Sequence, residues 1–164
     1  MRSIFVTGAA GFIGSHLTDR LPRSGMEVVG FDNLSTGDIA NLADATRDPH
    51  FHFVRGDLLD IEATARALAD SDLVFHLAAD PEVRAGAENP DGQFKENLQV
   101  TFNLLEAIRE RAIPTRLVFA STSTIYGEAT LIPTPEDYGP LLPISMKCGV
   151  VSLVCRVSVS CSST

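Results

Sequence analysis

The stretch Thr7-Gly8-Ala9-Ala10-Gly11-Phe12-Ile13-Gly14, directly behind the apolar run Ile4-Phe5-Val6, decides how this chain is read. A short β run enters a turn with glycine at three spaced positions, and a helix-competent segment leaves it. Glycine lets backbone come close to a ligand. The first turn of the following helix aims free N–H groups and the positive end of its dipole at the same place. The pattern predicts a seat for a pyrophosphate in a strand–turn–helix unit. Spaced glycines also suit any tight β–α turn, so the reading needs a separate, second feature.

That feature lies one strand further on. Met26-Glu27-Val28-Val29-Gly30-Phe31 reads as a buried parallel strand and ends at Asp32-Asn33. A carboxylate at this offset suits the hydroxyls of an adenosine ribose and repels a 2′-phosphate, so NAD is expected rather than NADP.

Strands and helices alternate outward from this unit. Strands are expected at 3–6, 27–31, 51–54, 73–76 and 116–119. Helices are expected at 12–24, broken near Pro22 and Gly25, and at 61–69 and 90–112, with a short helical stretch at 38–45. Asp60 is placed to cap the second of the long helices. Phe94, Leu98, Phe102, Leu105 and Ile108 form an apolar stripe at helical spacing on the third. Alternating βα units predict an α/β fold. The sheet is parallel and doubly wound, an NAD(P)-binding Rossmann fold with its ligand at the carboxyl ends of the strands.

Composition narrows the function. The 164 residues suffice for one domain with a real core, and the net charge of −8 argues against nucleic acid or an anionic membrane as partner. No stretch is long and apolar enough to span a bilayer, and the opening strand leaves no room for a signal peptide, so a cytoplasmic location is expected. The three cysteines, Cys148, Cys155 and Cys161, form no Cys-x-x-Cys pair, and neither a disulfide framework nor a metal site is expected. Residues 1–145 are read as the Rossmann domain and 146–164 as an atypical Ser/Val/Cys tail. Val-Ser alternation there favours extended backbone where a doubly wound sheet calls for a covering helix.

Several motifs in order resemble the extended short-chain dehydrogenase/reductase family, specifically its NAD-dependent nucleotide-sugar epimerases and dehydratases. They are the glycine turn, Asp32-Asn33-Leu34-Ser35-Thr36-Gly37, Gly56-Asp57-Leu58, His76-Leu77-Ala78-Ala79, Asn97, and Phe119-Ala120-Ser121-Thr122-Ser123-Thr124-Ile125-Tyr126-Gly127. The resemblance runs from Met1 to about Ser145. The second and last of these motifs are most similar to the UDP-glucose 4-epimerase branch, whereas sugar 4,6-dehydratases usually carry acids in the last. A dehydratase or decarboxylase of the same family, and a non-catalytic NAD-binding module, remain alternatives.

The resemblance implies roles. Gly8, Gly11, Phe12 and Ile13 surround the pyrophosphate. Asp32 and Asn33 hold the adenosine ribose, with Ser35, Thr36 and Gly37 beside it. Asp57 accepts from the adenine amino group while Leu58 packs on the ring. Leu77, Ala78 and Ala79 line the middle of the cofactor, and Asn97 steadies the loop beneath it. Thr122 supplies the hydroxyl that bonds the reacting sugar oxygen. His76 is read as a satisfied core residue.

The family also needs a tyrosine and, four positions on, a lysine that lowers the phenol pKa so that it can act as base. Aligned on Gly149, this chain has Cys148 and Ser152 at those places. A thiol can titrate in the useful range, but it is shorter than a phenol and has no cation beside it. Impaired catalysis is therefore expected. The family continues into further strands and a separate lobe that binds the sugar nucleotide. This chain is expected to be a truncated form that keeps few of those contacts. The family homodimer uses the long helix and the tyrosine-bearing helix, and the second of these is in doubt here.

Overall fold

The computed structural model describes residues 3–68, 70–80, 89–121, 131–133 and 135. Thr122, Cys148, Ser152 and the 146–164 tail lie outside the described residues. The strands are β1 (Ser3–Thr7), β2 (Glu27–Asp32), β3 (Phe51–Arg55), β4 (Leu73–His76) and β5 (Arg116–Phe119). They form one parallel sheet in the order β3-β2-β1-β4-β5. From β1 the chain winds outward through β2 to β3, then returns to the other side of β1 for β4. The switch point between β1 and β4 is where a doubly wound sheet opens a crevice at its carboxyl edge.

Successive side chains of β1 point to opposite faces, which builds two cores from one strand. Ile4 and Val6 pack with Ala9, Ala10, Val28, Leu42 and Phe51 on the face covered by α1 (Phe12–Arg20). Phe5 packs with Phe31, Leu58, Leu68, Val74, Val100 and Leu104 on the other face. There α2 (Ile61–Leu68) and α4 (Val100–Arg109) lie against the sheet. This is a Rossmann-type three-layer fold. Asp60 caps α2, its Oδ1 accepting the Ala63 N–H at 2.9 Å.

Three helical expectations change in detail. The first helix ends at Arg20, because Pro22 starts a 3₁₀ turn over Pro22–Ser24 and Gly25, at φ +74°, ends it. The 38–45 stretch becomes two short 3₁₀ turns, Ile39–Leu42 and Ala45–Arg47, the first capped by the Asp38 carboxylate on the Ala40 N–H. The long helix is continuous but not uniform: α3 (Pro90–Gln93) passes through a π segment, Phe94–Gln99, into α4. The stripe picked out by spacing only partly coincides with the core face, Ile108 packing against the core. Val100, Leu104 and Ala107 enter the core, while Phe94 and Phe102 stay about half exposed. This helix has apolar residues on two faces, and only contact with the sheet decides which face is inward.

At the amino ends of β2 and β3, Glu27 takes His50 Nδ1 at 2.7 Å and stands 3.9 Å from His52 Nε2. The hydrogen bond to Glu27 raises the His50 pKa above its ordinary 6.5, Asp48 adding to the effect. A raised folded-state value contributes stability that is complete below about pH 6.5 and disappears as pH climbs through the raised value. Thermal melts at stepped pH should show this increment for the unaltered chain and lose it in His50→Gln.

Candidate functional site

The crevice predicted by the topology is a cleft of about 360 Å³, within the usual range for small-molecule sites. The glycine turn forms one wall. Gly8 sits at φ +67°, and a Cβ there would stand 2.7 Å from the Ala78 backbone nitrogen. A Cβ on Gly14 would overlap the Gly8 carbonyl oxygen. Both glycines are therefore needed to fold the turn onto the β4 loop and onto α1. The turn is held in shape by Gly11 N–H on the Gly8 carbonyl at 3.1 Å. Asn41 Nδ2 and the Asp38 N–H, from the following 3₁₀ turn, both donate to the Ala10 carbonyl. Among the described residues no side chain caps the start of α1 at Gly11. Its first-turn N–H groups thus remain available at the cleft, at the positive end of a nine-residue helix.

Asp32 closes the turn from β2. Its Oδ2 accepts the Ala10 N–H at 2.9 Å, its Oδ1 accepts the Leu34 N–H at 2.7 Å, and only 8% of the residue is exposed. Each carboxylate oxygen keeps a second lone pair for an outside donor. Leu34 has φ +61°, a conformation uncommon outside glycine, and Asp32 holds it there. Asn33 forms an Asx turn with the Ser35 N–H and donates to Asp57 Oδ2 at 3.3 Å. Asp57 Oδ1 in turn accepts the Leu59 N–H at 2.8 Å.

Of the residues assigned to a cofactor from sequence, Gly8, Gly11, Phe12, Ile13, Asp32, Asn33, Ser35, Thr36, Gly37, Asp57, Leu58, Leu77, Ala78 and Ala79 all line this one cleft. Asn97 does not. It stands behind the β4 loop, where Oδ1 accepts the Asp80 N–H at 2.9 Å and Nδ2 donates to Gln93 Oε1 at 2.6 Å. That position fits a loop support. Sequence reasoning counted Gly14 only as part of the glycine turn and left Phe31, Gly56, Glu96 and Val100 without a role at the site, yet all five line it. Gly56 carries a signal, since it precedes Asp57. Glu96 carries none, because it arrives from the far helix. Desolvation, with Asp57 and Asp80 nearby, raises the Glu96 pKa above the ordinary carboxyl value.

Among the described residues no lysine or arginine lines the cleft. A bound anion here would be met by backbone N–H groups and the helix end. The acids Asp32, Asp57 and Glu96 are the ionisable side chains of the described lining. Among the described residues no group of three His, Cys, Asp or Glu side chains could hold a metal ion. No described helix is long and apolar enough to cross a membrane.

Residues 4–146 match the family model described as NAD dependent epimerase/dehydratase family. The chain belongs to that family. It is 40% identical to a UDP-glucose 4-epimerase of Mycolicibacterium smegmatis, over 88% of this chain and 46% of that protein. It is 35% identical to UDP-glucuronic acid decarboxylase 1 of Arabidopsis thaliana, over 86% and 31%. The solved UDP-glucose 4-epimerase of Thermus thermophilus, in complex with NAD, superposes with a TM-score of 0.77 at 38% identity. That match covers 92% of this chain and 47% of the other. The chain thus spans about half the length, or less, of these family members.

Proposed function

We propose that this chain is the NAD-binding domain of a nucleotide-sugar epimerase of the UDP-glucose 4-epimerase type, with its own turnover impaired. The observation that carries the binding half is the convergence of Gly8, Gly11, Asp32, Asp57 and Ala78 on one cleft at the sheet's switch point. NAD would supply a hydride acceptor for a sugar C4 carbon and later return that hydride.

The protein's own part is placement. Gly8, Gly11, Phe12 and Ile13 present backbone to the pyrophosphate. Asp32 and Asn33 take the adenosine ribose, beside Ser35, Thr36 and Gly37. Asp57 and Leu58 take adenine. Leu77, Ala78 and Ala79 form the wall towards the nicotinamide, supported from behind by Asn97. Thr122 would bond the sugar oxygen that loses its proton.

Impairment rests on Cys148 and Ser152, which stand where the family has its tyrosine and lysine. General base catalysis is worth about 10²–10⁴-fold, and a thiol without a neighbouring cation does not replace it. A sugar-nucleotide decarboxylase is the second reading, favoured by the 35% identity to the Arabidopsis decarboxylase. The two readings share the cofactor and differ in the sugar.

The test is a pair of measurements on the same sample. NAD is expected to bind in titration calorimetry, and interconversion of UDP-glucose and UDP-galactose is expected to stay at background. Cleavage of carbon dioxide from UDP-glucuronate would favour the second reading. Appreciable epimerase turnover would show that Cys148 and Ser152 do not disable the site.

A further inference from the structure

His76 is 1% exposed, lies at the end of β4 and does not line the cleft, yet both ring nitrogens are engaged. Its Nδ1 is 2.7 Å from Thr7 Oγ1, and its Nε2 is 3.0 Å from Thr101 Oγ1. Thr7 is the last residue of β1 and pairs directly with His76 in the sheet. Thr101 lies on α4, just past the π segment.

Proton counting fixes the direction of every bond. A threonine hydroxyl has one hydrogen and two lone pairs. The Ala78 N–H donates to Thr7 Oγ1 at 3.2 Å, and the Leu77 N–H is shared between that oxygen, at 3.2 Å, and the Thr7 backbone carbonyl, at 3.3 Å, so both donors face the hydroxyl's lone pairs. Thr7 must then give its own hydrogen to His76 Nδ1, which is a bare acceptor. The ring hydrogen sits on Nε2 and is donated to Thr101. Thr101 passes its hydrogen to the Asn97 backbone carbonyl at 2.7 Å. The opposite tautomer would crowd three donors onto Thr7 Oγ1 and leave a bare Nε2 facing a hydroxyl whose hydrogen is already used. Burial also pushes the His76 pKa down to about 4, so the ring is neutral at pH 7.

One end of this chain of bonds takes up N–H groups of the 77–80 loop, and the other ends on the main chain of Asn97, whose side chain holds the same loop. Thr7 receives the Leu77 and Ala78 N–H groups, and Asn97 receives the Asp80 N–H. Leu77, Ala78 and Ala79 form the cleft wall beside the glycine turn, Leu77 and Ala78 so close to Gly8 that it has no room for a Cβ. We propose that His76 is a positioning residue, which as a neutral Nε2–H tautomer relays a one-way hydrogen-bond chain from Thr7 to Thr101 and thereby holds the 77–80 loop where the cleft needs it. This deepens the dinucleotide reading above and rests on it for its effect on affinity, though not for the tautomer itself.

The test uses the full chain with ¹⁵N-labelled histidine. Long-range ¹H–¹⁵N correlation at pH 7, without any ligand, should show His76 protonated on Nε2 only. Calorimetric titration with NAD should then find Thr101→Val, which touches nothing in the cleft, roughly tenfold weaker while still folded. Thr101→Ser, which keeps the hydroxyl, should return affinity to within about twofold. His76→Asn can still accept from Thr7 but cannot reach Thr101, and should resemble Thr101→Val. Should that variant unfold, the threonine pair still decides. A ring charged or protonated on Nδ1 overturns the proposal. So does a Thr101→Val variant that melts earlier but binds NAD like the unaltered chain. Failure of the unaltered chain to bind NAD would instead sink the cofactor assignment, with the tautomer spectrum still deciding the relay.

Discussion

Valine in place of Gly8 is expected to eliminate measurable NAD binding and to lower stability sharply. Two costs combine. At φ +67° a β-branched residue is held in backbone space that costs about 1–3 kcal/mol. Its Cβ would also meet Ala78 N at 2.7 Å, Ala78 Cα at 2.9 Å and the Leu77 carbonyl carbon at 2.9 Å. These are backbone atoms at the end of a hydrogen-bonded strand and cannot swing aside. Overpacking of this sort adds about 1–3 kcal/mol. The sum, about 2–6 kcal/mol, is a large part of what a single domain has. Gly25 supplies the control. It has φ +74° and nothing within 4 Å of where a Cβ would stand, so Gly25→Ala bears only the backbone cost of about 1–2 kcal/mol. Denaturant unfolding and NAD calorimetry on both variants separate the effects. A Gly8→Val chain that bound NAD within about threefold of the original would remove the glycine turn from the site.

Asp32→Ala is expected to weaken NAD binding by about a hundredfold, since hydrogen bonds to a charged acceptor are worth about 1.5–3 kcal/mol. It should destabilise the free protein as well. The buried Ala10 N–H and the part-buried Leu34 N–H lose their acceptor, at about 1–3 kcal/mol for the buried group left unsatisfied and less for the other. Asp32→Asn keeps one acceptor oxygen and should fall between. Both changes remove the charge that opposes a 2′-phosphate, so the ratio of NADP to NAD affinity should rise in each. A ratio that stays put would mean Asp32 serves the turn alone and does not face the ribose.

Much of the site is visible in the chain before it folds, and the reason is local. The glycines of the turn, the acid ending β2 and the Gly-Asp pair after β3 each sit at the end of a strand whose apolar run marks it. Parallel strands joined by right-handed crossovers bring those ends to one edge. Two of the unassigned contributors have a different origin. Glu96 lies in the π segment of the far helix and Val100 directly follows it, a segment that no spacing rule announces. The apolar spacing of Phe94 and Phe102 marks a helix correctly, yet only packing shows that Val100 and Leu104 face the sheet instead.

The amino-acid order determined the class of fold, the places where strands stop, and which residues could meet a dinucleotide, because periodicity and turn chemistry act between near neighbours. Only the folded sheet decided what those residues do for one another. By setting β4 beside β1 it joined Thr7 to His76 across 69 positions, made Asp32 the clamp of the glycine turn, and hid Asn97 behind the loop it supports. Hydrogen bonds need partners within about 3 Å. Separation along the chain says nothing about that distance until the strand order is known.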